Sequence, residues 1–115
     1  MLPRPRRLHR ARDIARVRRA RSVVRGDLVT LRARSRRDNE PTRFGVIVSR
    51  RVSRKATERN TVLRRIRAFL TEVLPTVRDG YDVLIVAHGD HRDYTWERIR
   101  RDLAASLQRL RLVGS

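Results

Sequence analysis

The stretch ERNTVLRRIRAF, residues 58–69, interleaves four arginines and an asparagine with an apolar pattern. Guanidinium groups bind phosphate through paired hydrogen bonds and stack on bases, so the chemistry on offer is recognition of a polyanion. At 100° per residue, Val62, Leu63, Ile66, Phe69, Leu70 and Val73 share one arc of a helix. Asn60, Arg64 and Arg67 fall within roughly 60° of one another on a flanking arc. Arg59 stands in the first turn and Arg65 on the opposite flank. Polar groups at i, i+4 and i+7 make a stripe about two turns long, which suits a phosphate backbone. A merely solvated face mixes signs to gain i,i+4 pairs. Here Glu58 is the only acid between Thr42 and Thr71. Just upstream, Arg50, Arg51, Arg54 and Lys55 extend the positive run.

Other chemistries find little to work with. Hydrolysis by protein-bound metal ions needs clustered carboxylates, and the twelve acids are scattered. The nearest candidate is HGDHRD, with His88, Asp90, His91 and Asp93, whose spacing fits no metal-ligand pattern. It reads as an ordinary polar loop, and His9 as a surface residue. With no cysteine there is neither a disulfide frame nor a thiolate zinc site, and no serine stands in a nucleophile context.

A net charge of +18 over 115 residues calls for a polyanionic partner. Nucleic acid comes first and anionic lipid second. No segment sets a strongly apolar, aromatic face against a basic one, as a membrane-surface helix would, and no apolar run approaches transmembrane length. A cytoplasmic chain without a membrane partner is expected, because MLPRPRRLHRAR lacks the apolar stretch of a signal peptide. All basic side chains but Lys55 are arginine. Phosphate recognition explains that preference, and so does a genome of biased base composition. Residues 1–42 hold 14 basic and 4 acidic side chains, residues 43–67 hold 9 and 1, and residues 68–115 hold 7 and 7. The last part reads as scaffold and the first 67 residues as binding surface.

The elements that must position these groups follow from periodicity and punctuation. LHRARDIARVRR places Leu8, Ile14 and Val17 on one side of a short helix. DLVTLRARS reads as a strand over 27–34 and TRFGVIVSR as a strand over 42–50, joined as a hairpin by the polar turn SRRDNEP. The run Val46, Ile47, Val48 suggests burial on both faces. Thr57 is expected to cap the central helix, which Pro75 stops after about Val73. YDVLIVAH is a second buried strand at 81–88. Thr95 is expected to cap a last helix with an apolar stripe of Trp96, Ile99, Leu103, Leu107 and Leu110. The result is a single-domain α/β sandwich, residues 1–115, with helices on one or both faces of a small sheet. Residues 1–10 are expected to form a flexible basic arm.

RFGVIVSRRVSRKATERNTVLRRIR, residues 43–67, resembles the signature region of the bacterial ribonuclease P protein subunit. That family has a strand ending in Val-Ser and two basic residues, a loop, and a helix opening on Arg-Asn. Val48, Ser49, Arg50 and Arg51 match the strand end. Arg59, Asn60, Val62, Arg64, Ile66 and Arg67 match the helix. The opening residues, with Leu8 and Asp13, and YDVLIVAH followed by an aromatic and a long helix, extend the likeness over nearly the whole chain.

The resemblance implies an α+β fold: a small mixed four-stranded sheet and three helices in the order α-β-β-β-α-β-α, with a left-handed βαβ crossover. It also implies a function. The family's protein joins a large catalytic RNA in the ribonucleoprotein endonuclease that removes the 5′ leader of precursor tRNA. The RNA supplies the active site and its Mg²⁺ ions, so no catalytic residue and no metal ligand is expected in this chain. Carried over, Arg50, Arg51, Arg54, Lys55, Arg59, Asn60, Arg64, Arg65 and Arg67 would bind the catalytic RNA. Ile14, Val17, Arg18, Leu31 and Phe44 would line a leader-binding cleft.

Two departures stand out. Leu63 occupies a position that is usually basic. Ile14, Arg18 and Leu31 replace the aromatic residues that line the family's cleft, so leader contact would rest on apolar packing and arginine. Three alternatives are open. A small basic ribosomal protein would bind rRNA structurally. A helix-turn-helix protein would bind DNA, but it needs two helices joined by a short turn, and strands flank the 58–73 helix; DNA is therefore not expected as a partner. The third is a stand-alone nuclease.

Overall fold

The computed structural model describes residues 2–113. Four strands form one mixed sheet in the order β1-β2-β4-β3. They are β1 (Ser22–Arg25), β2 (Val29–Ser35), β3 (Arg43–Val48) and β4 (Tyr81–Ala87). The helices are α1 (Ala11–Arg18), α2 (Ala56–Val73) and α3 (Trp96–Arg109). This is the implied α+β arrangement. The fourth strand is the four-residue β1, too short to stand out by periodicity.

The expected hairpin between the second and third strands does not form. β4 lies between them, antiparallel to β2 and parallel to β3. The reason is burial: β4 is the most apolar strand, and at the centre both its faces are covered. Val83, Ile85 and Ala87 face the main core, while Leu84 joins Leu8 and Val17 on the other side. The link from β2 to β3 therefore spans the end of β4. Arg36 holds it there, donating to the Tyr81, Glu40 and Pro41 carbonyls and to Asp82. Burial works against the Arg36 charge, but hydrogen bonds to Asp38 and Asp82 outweigh it and raise its pKa. Gly80 closes the turn into β4 at φ +93°, where a side chain would meet the Asp38 carbonyl.

Strand alternation sorts the helices. Val29, Leu31 and Ala33 of β2 are buried in the main core beneath α2 and α3, and Thr30, Arg32 and Arg34 face the α1 side. On the α1 side, Asp82 is 1% exposed. It accepts from Arg43 (2.8 Å twice) and Arg36 (2.6 Å), and Arg43 reaches Asp13 of α1 at 3.4 Å. That chain of charges ties α1 and the β2–β3 link to the sheet.

Local signals hold in part. Thr95 caps α3 by accepting from the Arg98 N–H, and α2 ends at Val73 before Pro75. Thr57 does not cap α2, because the helix starts two residues earlier than that requires, at Ala56, with Lys55 as N-cap. Ser53 organises that entry instead: its hydroxyl accepts from the Lys55 N–H and donates to Glu58. Leu8 precedes α1 but packs with Val17 as expected. The leading arm is docked over residues 2–8. Leu2 and Leu8 are buried, and the Leu8 N–H bonds the Phe44 carbonyl, so apolar anchors outweigh the basic residues around them.

Tyr94 closes the core under the β1–β2 turn. Its hydroxyl donates to the Leu28 carbonyl (2.6 Å) and accepts from the Gly89 N–H (3.0 Å). Burial pushes its pKa up to about 12. A raised folded-state value means stability present below the unfolded tyrosine pKa, about 10, and lost as pH rises through 10 to 12. Urea unfolding at pH 8 and pH 11 should show that loss in the native protein and a smaller one in Tyr94→Phe. Equal losses would show that Tyr94 is not the linked group.

Candidate RNA interface

α2 lays Val62, Ile66, Phe69 and Leu70 into the core and turns a basic ridge outward. Asn60, Arg64 and Arg67 line one shallow groove with Thr57, Thr61 and Leu63. The structure thus brings the i, i+4, i+7 stripe together. Its polar ends have no carboxylate partner among the described residues, and Arg64 makes only a 3.3 Å contact to the Thr61 hydroxyl. Leu63, the uncharged departure, forms part of the groove wall.

The loop between β3 and α2 presents Arg50, Arg51, Arg54 and Lys55, all exposed. Its shape is fixed from inside. Val52 is buried, its N–H bonds the Ser49 carbonyl, and its own carbonyl accepts from the His91 N–H. Arg59 completes the frame by donating to the Ser53 and Arg54 carbonyls at 3.0 and 2.9 Å. Arg59 therefore pins the Ser53–Arg54 end of this basic loop. Arg65 likewise stands apart from the stripe, donating to the Tyr94 carbonyl at 2.9 Å. Glu58, the lone acid here, is spent on Ser53 and on His91 at 3.5 Å. In the neighbouring loop Asp90 is held by Arg92 and drops to a pKa of about 2, and Asp93 pairs with Arg98. His9 lies exposed.

The predicted cleft does not assemble. Ile14 and Val17 belong to the α1 side of the sheet, and Arg18 is exposed on α1. Leu31 and Phe44 point to the opposite face, deep in the main core at 0% and 2% exposure. Side chains alternate along a strand, so a one-residue offset changes the face. The alternation Val29, Leu31, Ala33 against Thr30, Arg32, Arg34 carries that information. A larger ring at position 31 would overpack the core rather than line a cleft.

What the α1 face does offer is set by cross-strand register. Arg32, Leu84 and Gly45 form one row, and Leu8 sits so close to Gly45 that a Cβ there would lie 3.0 Å from its carbonyl oxygen. The next row, Thr30, Val86 and Ile47, remains half-exposed beside Ile14. It runs to the end of β3, where Arg50 and Arg51 follow. Thr30, Ile47 and Val86 are the partly open residues of the α1 face that sequence reasoning missed.

The profile of the Ribonuclease P family matches residues 2–111. The chain belongs to that family. Among its relatives is the "Ribonuclease P protein component" of Synechocystis, 39% identical over 67 residues, or 58% of this chain and 54% of that protein. The match therefore spans about half that relative's length. The protein of the same name from Pseudanabaena is 33% identical over 85 residues, covering 74% of this chain and 73% of the relative. The fold is that of the Staphylococcus aureus RNase P protein, with TM-score 0.83, 19% identity and 95% and 98% of the two chains covered. It is also that of the Thermotoga maritima RNase P protein, with TM-score 0.78, 20% identity and coverage of 90% and 98%. Among the described residues no helix is long and apolar enough to cross a membrane.

Proposed function

We propose that this chain is the protein subunit of a ribonuclease P holoenzyme. It binds the catalytic RNA and the 5′ leader of precursor tRNA, and it assists Mg²⁺-dependent, RNA-catalysed removal of that leader in the cytoplasm. The observation that carries this reading is the unpaired Asn60–Arg64–Arg67 groove beside a preorganised loop of four cations, in a chain of this family. Arg50, Arg51, Arg54, Lys55, Asn60, Arg64 and Arg67 contact phosphates of the catalytic RNA. Arg59 and Arg65 hold the loop and the helix in place. The leader lies across the Thr30–Val86–Ile47 row, against Ile14, with Arg18 and Arg32 on the same side of the sheet.

The RNA and its Mg²⁺ ions supply the hydrolytic chemistry. The described residues place no three His, Cys, Asp or Glu side chains where they could share a metal ion. The carboxylates nearest the loop are spent on ion pairs and hydrogen bonds. The protein instead neutralises phosphates, so that the folded RNA holds Mg²⁺ at lower concentration. Six neutralised phosphates would give a slope of log K against log salt of about −4 to −5.

Cleavage of precursor tRNA tests the proposal. Protein alone should give none at any Mg²⁺ concentration. With a bacterial ribonuclease P RNA, cleavage should occur at lower Mg²⁺ than the RNA requires by itself. Robust cleavage by RNA-free protein would place the active site in this chain. RNA binding without any effect on leader removal would favour a structural, ribosomal role.

A further inference from the structure

The single tryptophan stands where a core residue was expected. Trp96 opens α3 in the register of Ile99, Leu103 and Leu107, yet it is 41% exposed while those three are buried. It is the first residue of α3, packed against Phe69 of α2 on one side and open to solvent on the other. The indole is nevertheless fixed in place. Phe69 meets it at 66° with ring centroids 6.4 Å apart, and the Arg100 guanidinium lies 5.8 Å from its centroid. Arg100 is itself steadied by Glu72 at 3.6 Å.

Trp96 lines a shallow groove with Thr61, Arg64, Arg65 and Ala68. Two features of that groove matter. Thr61 and Arg64 are shared with the Asn60–Arg67 groove, so the α2 ridge has the phosphate stripe on one flank and the indole on the other. Ala68 stands one turn beyond Arg64 and carries too little side chain to cover the ring. A fixed aromatic surface flanked by arginines suits a stacked base whose backbone runs past the cations.

We propose that Trp96 is a stacking platform for an unpaired nucleobase of the catalytic RNA, with Arg64 bridging it to the phosphate stripe. The proposal rests on the reading of this chain as an RNA-bound subunit and adds a base-contacting site to it. The source is the catalytic RNA because the groove continues the α2 ridge, whereas the leader row lies on the α1 face of the sheet.

Trp96 is the only tryptophan in the chain, so its emission reports on this site alone. Titrating the full-length protein with catalytic RNA should quench that emission and shield it from acrylamide. Trp96→Leu should weaken RNA affinity on the order of tenfold and leave the salt slope unchanged, since no phosphate contact is lost. Trp96→Tyr should recover most of that affinity. Melting curves identify any variant that fails to fold, and the wild-type quenching stands independently of the variants. Salt-dependent binding with an unquenched, acrylamide-accessible Trp96 would overturn this proposal alone. Failure of the wild-type protein to bind the RNA would overturn the underlying reading, and this one with it. Quenching by precursor tRNA but not by catalytic RNA would overturn the assignment of the base to the catalytic RNA.

Discussion

Asp82→Ala should cost about 3–5 kcal/mol of folding stability, because removing one member of a buried charge cluster strands the others. Asp82 is 1% exposed and is the carboxylate that both Arg36, 11% exposed, and Arg43, 26% exposed, converge on. Without it two guanidinium groups sit against the end of β4 with no shared counter-charge. Arg43 keeps only the 3.4 Å contact to Asp13, and Arg36 keeps Asp38 at the rim. The loss is a large share of the roughly 5–15 kcal/mol that holds a domain together. It should also loosen α1 and the β2–β3 link, which the cluster joins to β4. Asp38→Ala is the comparison, because that carboxylate is 38% exposed. Removing an exposed partner typically costs less than about 1 kcal/mol. Urea midpoints for the two variants decide the matter. A cost for Asp82→Ala no greater than that for Asp38→Ala would mean that the cluster does not lock the sheet to α1.

The second large effect is expected on binding. Arg64→Ala and Arg67→Ala together should weaken association with the catalytic RNA by roughly 2–6 kcal/mol, since each charge-assisted contact contributes about 1–3. The salt slope should shrink by about two, one for each phosphate released. Folding should change little, because truncating an outward-facing charge usually costs within about 0.5 kcal/mol. Arg109→Ala is a suitable control, exposed near the end of α3 and away from the α2 ridge. Arg100 is unsuitable, because its guanidinium lies over Trp96. Affinities across a salt series, with melting temperatures alongside, separate two cases. If Arg109→Ala weakens binding as much per charge removed, the protein acts as a diffuse positive field, and the Asn60–Arg64–Arg67 groove is not a specific site.

Much of this site was legible in the sequence, because its features are local. The 3.6-residue period is a property of one helix. It therefore separated the buried face of α2 from Asn60, Arg64 and Arg67 without knowledge of anything α2 packs against. The scarcity of acids between Thr42 and Thr71 likewise announced an unpaired basic surface, and the Arg-Asn motif with its preceding basic loop pointed to one family. The cap at Thr95 and the stop at Pro75 rest on neighbouring residues and were readable for the same reason.

Tertiary structure decided what depends on partners distant in the chain. Nothing near β2 and β3 says that β4 inserts between them. That outcome follows from the burial of both faces of YDVLIVA, and it needs Arg36 and Arg43 to meet Asp82 across the sheet. The same placement turned Leu31 and Phe44 away from α1 and left Thr30, Val86 and Ile47 as the open row. Arg59 and Arg65 look like their neighbours in sequence, but backbone carbonyls of the basic loop and of Tyr94 claim them. Trp96 has the period of a core residue, yet in the first turn of α3 it is 41% exposed, and only the packing of α3 on α2 decides that.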